Sequence, residues 1–268
     1  MHNDPTRLSI RFIRIVRIVG HVVRGLWVTG VRFPRLDAAG QDSELRRWAR
    51  RLLAILNVRV SCFNEPAGLP PRCMLVANHV SWLDVMTIFA VRPAVFVAKD
   101  DIRRWPVIGK LCMQAGTLFI ERGRGHHARH INGRVAATLA AGRVFAMFPE
   151  GTTSDGRTLN RFHRALFQSA VDAEAVLQPV GIRYTDPAGA WTDAPAFVGD
   201  MSLVESIWRL VSAPALVAEL HFATAIPASG LHRKELAQQA ETAIAGVLEL
   251  APPGTPPGTR SDRPDALQ

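Results

Sequence analysis

Between residues 7 and 33, Arg7, Arg11, Arg14, His21 and Arg24 recur at steps of three, four and seven. That is the period of an α-helix. Leu8, Phe12, Ile15, Val19, Val22, Val23 and Leu26 fall on the opposite side. The pattern predicts an amphipathic helix with one basic and one apolar face. A second is predicted over 43–56, with Leu45, Trp48, Leu52, Leu53 and Leu56 on one side and Arg46, Arg47, Arg50 and Arg51 mostly on the other. After the prolines at 66, 70 and 71 the texture changes. Short apolar runs at 73–77, 94–98, 117–121, 143–148, 175–183 and 215–222 alternate with helical patterns at 84–91, 101–114, 126–141, 163–173, 202–211 and 231–249. Such alternation predicts an α/β fold with a largely parallel sheet flanked by helices. Ligands of such folds gather at the carboxyl ends of the strands. No internal repeat is present, and the Pro/Gly-rich stretch from 251 to 268 predicts a disordered tail. The expected organisation is a basic helical segment over 1–60, one α/β domain over 61–250, and the tail.

Charge sharpens the first segment. The chain of 268 residues is 48% hydrophobic, enough for a sizeable core, and carries a net charge of +9. Residues 1–60 hold twelve arginines against four acids, so nearly the whole excess lies there. A basic block invites an anionic partner, a lipid surface or nucleic acid. No DNA-reading motif accompanies it, and aromatic residues are not interleaved with the charge, so no nucleic acid is expected. A bilayer span needs roughly 20 mostly apolar residues. Here the longest uncharged stretch is the seven residues 25–31. Neither a span nor a secretory leader fits. The expectation is an interfacial helix, apolar face in the acyl boundary and arginines on anionic headgroups, with Trp27 and Trp48 at headgroup level. The plainer alternative is a helix packed on the protein's own core. Cys62, Cys73 and Cys112 are scattered, which fits a reducing compartment and neither a disulfide framework nor a zinc site.

Candidate chemistry sits where apolar runs end. The run Met74-Leu75-Val76-Ala77 leads into Asn78-His79, and Asp84 follows five positions after the histidine. A carboxylate on one ring nitrogen fixes the tautomer and leaves the other nitrogen free to accept a proton. Alternatively, Ser81 or Asp84 only caps a helix and His79 only packs. The run 117–120 ends in Glu121-Arg122, and Arg122 can fork onto a phosphate or carboxylate, or form an ordinary ion pair. Phe148-Pro149-Glu150-Gly151-Thr152-Thr153-Ser154 ends a third run, with a glycine that permits close backbone approach to a ligand. In a fourth run Pro179 predicts an edge or bulge that shapes a pocket wall.

These four segments, in this order, resemble the four motifs of the glycerolipid acyltransferase family, of the 1-acyl-sn-glycerol-3-phosphate acyltransferase type. Asn78, His79 and Asp84 match the first; Gly116, Phe119, Ile120, Glu121 and Arg122 the second; Phe148 to Thr152 the third; Pro179 the last. The resemblance covers about residues 70–185 and makes 61–250 an acyltransferase domain. It implies transfer of a fatty acyl group from acyl-CoA or acyl carrier protein to the free hydroxyl of a lysolipid, here 1-acyl-glycerol-3-phosphate, in phospholipid biosynthesis. His79 would be the general base and Asp84 its orienter. Asn78, Arg122, Glu150, Gly151 and Thr152 would bind substrate. Amides near 78–81 or Gly151 would hold the oxyanion. No cofactor or metal is implied, and the place implied is the cytoplasmic face of a bacterial inner membrane. Covalent catalysis by Ser81 or Cys73 is chemically open, though a base acting on the hydroxyl suffices. One departure stands out: Ala165, in Phe162-His163-Arg164-Ala165-Leu166-Phe167, replaces a usual glycine. Together with Thr153-Ser154-Asp155-Gly156 and the later Phe197-Val198-Gly199-Asp200-Met201 it is closer to the lyso-ornithine lipid acyltransferase branch, whose acceptor lacks a phosphate. A serine hydrolase is a rival class, but it needs a Gly-x-Ser-x-Gly elbow, which the chain lacks. The rival outside enzymes is a basic peripheral membrane-binding protein.

Overall fold

The first helix forms as its periodicity predicts, but two of its polar residues turn inward while much of its apolar side faces out. The structure, a computed structural model, describes residues 6–120 and 125–251. In α1 (Leu8–Trp27), Arg14 and His21 are buried, while Leu8, Phe12, Val16, Val19, Val23 and Trp27 are exposed. Arg14 donates to the carbonyls of Val211 at 2.9 Å, Ala213 at 2.6 Å and Pro214 at 3.2 Å. His21 stacks on Trp48 with ring centroids 4.8 Å apart. At Gly25 an added β-carbon would lie 2.7 Å from Trp48 Nε1, so only glycine permits this crossing. The expectation that the polar side of α1 meets headgroups is therefore corrected for Arg14 and His21. They are the side by which the helix docks on the protein.

A π turn (Val28–Arg32) and a 3-10 turn (Phe33–Arg35) lead into α2 (Ala38–Leu56), capped by Asp37, whose side chain accepts from Gly40 N at 2.8 Å. Leu45, Ala49, Leu52, Leu53 and Leu56 pack into the main core. Asn57, left-handed at φ 57°, then turns the chain directly into β1 (Val58–Phe63). The boundary expected after residue 60 thus falls inside a strand, and α2 belongs to the α/β domain.

The remaining elements follow the predicted alternation: β2 (Cys73–Ala77), α3 (Leu83–Val91), β3 (Val95–Lys99), α4 (Asp100–Arg103), α5 (Ile108–Gln114), β4 (Leu118–Ile120), α6 (Gly125–Ala140), β5 (Phe145–Met147), α7 (Phe167–Asp172), β6 (Val176–Thr185), α8 (Leu203–Ser212), β7 (Leu216–Phe222), β8 (Ile226–Pro227) and α9 (Arg233–Leu248). The single helix expected over 101–114 is broken in two. Pro106 supplies no amide donor, and Val107 sits at φ 70°.

Among the described residues eight strands form one sheet in the order β1-β7-β6-β2-β5-β3-β4, with β8 beside β6. Pairing is parallel except where β6 meets β7 and β8. Helices α2, α3 and α8 cover one face, and α6, α7 and α9 the other. Strand β2 shows why its run lacks alternation: Cys73, Leu75 and Ala77 enter one core layer, Met74 and Val76 the other.

Pro179 is not on an edge. It pairs with Val76 within central β6. The neighbour on its other side changes there, from β8 at Val176 and Leu177 to β7 from Val180 onward. The missing amide falls in that gap, where no ladder partner is lost.

Candidate active site

Strand β2 ends at Ala77, and the next two residues start the turn into α3. Asn78 is 1% exposed. Its side-chain amide donates to Ile182 O at 2.9 Å and accepts from Ile182 N at 2.6 Å. With both ends of the amide engaged by β6, Asn78 is a clamp between strands. The expectation of a substrate contact there is corrected.

His79 Nδ1 lies 2.8 Å from Asp84 Oδ2, on the first turn of α3. The same oxygen accepts the amides of Val80 at 2.7 Å and Ser81 at 2.9 Å. Asp84 has no exposure, so its charge depends on these donors and on Tyr184, whose hydroxyl donates to Oδ1 at 2.7 Å. The His79 side chain keeps 20% exposure. Its ring stacks on Phe148 at 4.1 Å with 4° between planes, and Phe96 stacks behind Phe148 at 5.5 Å. Ring plane and Nδ1 are thereby fixed, which directs Nε2 as the nitrogen for proton transfer.

The third motif encloses the same residue. Glu150 is 3% exposed and turns inward. Its Oε1 accepts the amide of His79 at 2.6 Å, and its Oε2 accepts the amide of Asn160 at 2.9 Å. Burial raises its pKa to about 7 against the opposing pull of those two amides and of His79. Glu150 therefore holds the His79 main chain and faces no head group, a second correction. Ser154 N donates to His79 O at 2.8 Å, so the loop 150–154 holds the His79 residue by its own amide and its own carbonyl. Gly151 takes φ 66° and donates to Phe148 O at 3.1 Å, while Thr152 is exposed at the rim. The segment near 197 joins both turns: Phe197 N donates to Val80 O at 3.0 Å, and Thr153 Oγ1 donates to Phe197 O. Glu121 and Arg122 lie outside the described residues.

The other sequence expectations sort by geometry. The amides of 79, 80 and 81 are all donated to carboxylates, so that turn offers no oxyanion hole. Ser81 is fully buried, and its Oγ accepts from Leu83 N at 3.3 Å. Cys73 lies at the other end of β2 from His79, with its thiol pushed up to about 12 by burial. Neither is a nucleophile here. Phe148 and Tyr184 are the members that sequence reasoning did not single out. The stacking partner lay inside a matched motif; nothing local marks the tyrosine.

Histidine held by a buried aspartate at the end of a central strand, under a second turn that grips its backbone, is an arrangement chemically capable of accepting a proton. The Acyltransferase family model matches residues 62–183. The chain is 39% identical over 238 residues to the lyso-ornithine lipid O-acyltransferase of Pseudomonas aeruginosa, covering 87% of this chain and 91% of that protein. It is 36% identical over 227 residues to the 1-acyl-sn-glycerol-3-phosphate acyltransferase of Neisseria meningitidis, covering 83% and 89%. The chain belongs to the acyltransferase family, on the side of acyl-glycerophosphate and lyso-ornithine lipid acyltransferases. Its fold matches the crystal structure of the 1-acyl-sn-glycerophosphate acyltransferase from Thermotoga maritima, with a TM-score of 0.66 at 19% identity over 90% of this chain and 95% of that one.

Proposed function

We propose that this acyltransferase moves a fatty acyl group from a thioester, acyl-CoA or acyl carrier protein, to the free hydroxyl of 1-acyl-glycerol-3-phosphate, giving phosphatidic acid. The observation that carries the reading is the 2.8 Å contact from His79 Nδ1 to buried Asp84, which leaves Nε2 as the proton acceptor. His79 takes the proton of the acceptor hydroxyl as the oxygen attacks the thioester carbonyl. Asp84 stabilises the imidazolium. The C–S bond of the tetrahedral intermediate then breaks, and the departing thiolate takes the proton from His79. Gly151 and Thr152 contact the acceptor at the rim; the resemblance to the family's second motif assigns Arg122 to the acceptor's anionic end. A second reading, lyso-ornithine lipid as acceptor, is favoured by Ala165 and by the similarity to the Pseudomonas aeruginosa enzyme.

The substrates of such a reaction live in membranes, and the exposed side of α1 supports docking there. Phe12, Val19, Val23 and Trp27 present hydrocarbon outward. Exposed Val204 and Trp208 on α8 join them at its N-terminal end, where Arg11 lies over the Trp208 ring at 5.5 Å. Among the described residues no helix is long and apolar enough to cross a membrane. The enzyme sits on one leaflet, the cytoplasmic one, with the α1 surface in the acyl boundary.

An acceptor panel with one acyl donor, run on purified wild type and His79→Ala in detergent, tests the chemistry. Wild type acylates lysophosphatidate, lyso-ornithine lipid or both, and the folded variant acylates neither. A folded His79→Ala protein of wild-type activity overturns the base assignment.

A further inference from the structure

Tyr184 is the one tyrosine in the chain, and it is 2% exposed. It stands on β6, opposite Ala218 of β7, a hundred positions beyond Asp84 in sequence. A buried hydroxyl carries a desolvation cost that a phenylalanine of the same shape would not. Here that hydroxyl is aimed at Asp84 Oδ1, 2.7 Å away.

The two oxygens of Asp84 have divided roles. Oδ2 gathers the ring nitrogen of His79 and the amides of Val80 and Ser81. Oδ1 takes the tyrosine. A carboxylate pinned through one oxygen still rotates about its Cβ–Cγ bond; pinned through both, it does not. The phenol's pKa is driven well above its usual value by burial and by the neighbouring Asp84 carboxylate, so its oxygen keeps the proton it donates. Thr87, on the same helix as Asp84, donates its hydroxyl to Asp84 O at 2.9 Å.

We infer that Tyr184 is a positioning residue for acyl transfer: through Oδ1 of Asp84 it fixes the carboxylate plane and sets how strongly Oδ2 binds His79 Nδ1. The inference rests on the reading of His79 as the base. It deepens that reading by adding a third member, supplied by a different strand.

The single tyrosine makes the test clean, because biosynthetic replacement by 3-fluorotyrosine alters this one site without changing the fold's shape. Its hydroxyl is a stronger donor than tyrosine's, and Tyr184→Phe removes the donor. The readouts are kcat and KM for donor and acceptor, and the imidazole Nδ1–H resonance of His79, which needs no activity. Tyr184→Phe is expected to lower kcat about tenfold with both KM values unchanged, the size expected for losing one hydrogen bond to a buried carboxylate. Without the tyrosine, charge concentrates on Oδ2 and the resonance moves downfield; with fluorotyrosine it moves upfield. A Tyr184→Phe protein with wild-type kcat and an unmoved resonance makes the tyrosine a core residue only and overturns the inference. So does a change confined to KM. If Tyr184→Phe does not fold, the fluorotyrosine protein decides alone: an unmoved resonance overturns the inference, an upfield shift supports it. Failure of the base reading is seen separately, as activity persisting in folded His79→Ala.

Discussion

Glu150 accepts the backbone amide of His79 at 2.6 Å, so the third motif grips the main chain of the histidine instead of reaching toward solvent. The bond joins residues 71 positions apart and brings two strand ends to one point. It also leaves a carboxylate buried, and the pH dependence of stability should register that.

Burial raises Glu150 from 4.5 to about 7. Between those values the native protein holds a proton that the unfolded chain has released, so stability falls as pH rises from about 4.5 and levels off above about 7. The full drop is ~3 kcal/mol. Glu150→Gln cannot titrate, so the wild-type stability relative to the variant should decline across that window. Urea titrations of both proteins at four pH values measure it. A difference that stays flat with pH places the titration elsewhere. The variant should also lose activity, because its amide nitrogen must face either the His79 or the Asn160 amide.

Asp84→Asn is expected to be far more damaging than its size suggests. Four donors converge on the carboxylate, and asparagine brings a further donor among them. The imidazole then loses its fixed tautomer, and kcat should fall about a thousandfold or more. Unfolding should cost roughly 2–4 kcal/mol less. Steady-state kinetics on protein checked by circular dichroism decides; a tenfold loss or smaller would make Asp84 a structural cap.

The two faces of α1 should separate by mutation. Val19 and Val23 are both exposed, so Val19→Glu with Val23→Glu should leave stability within about 0.5 kcal/mol. Partition into anionic vesicles should weaken at least about tenfold. Arg14→Gln should do the reverse, costing about 2 kcal/mol by abandoning carbonyls at the end of α8 while leaving vesicle binding intact. Co-sedimentation and thermal melts measure both. Deleting 1–60 is not a usable test, since α2 carries core residues.

The thiols should be inert in the native enzyme. Burial pushes Cys73 up to about 12, and burial together with Glu65 pushes Cys62 up to about 11. At pH 8 fewer than about one in a thousand of either is thiolate. Maleimide should leave native activity untouched and label Cys62 and Cys73 only after denaturation. Activity lost in step with labelling of Cys73 would reopen a covalent mechanism.

Much of this arrangement is legible in the sequence because strands that end at a site announce themselves. The apolar run of β2 and the turn at Asn78-His79 are local signals, and the helical step to Asp84 is a local geometry. β1 was not legible: Val58 to Phe63 follow α2 after only Asn57, with neither glycine nor proline to mark the turn. The direction of Glu150 was not legible either. Between Pro149 and Gly151 it reads as a rim carboxylate, and only the His79 amide, brought in by sheet register, turns it inward. Pro179 suggests an edge because ladder continuity is a property of neighbours, and the change from β8 to β7 cannot be seen from β6 alone. Tyr184 has no local pattern whatever; its meaning lies entirely in what stands opposite it.

The orientation of α1 has a consequence for handling the protein. A helix that docks through Arg14 and His21 and shows its hydrocarbon makes dispersal in water a property of whatever covers it. In detergent a micelle serves. When detergent is diluted away, the matching surface most at hand is that of another molecule of the same kind, so self-association should rise with protein concentration and vanish when vesicles are added. Size measured in solution would then report the amphiphile present more than any assembly encoded in the fold.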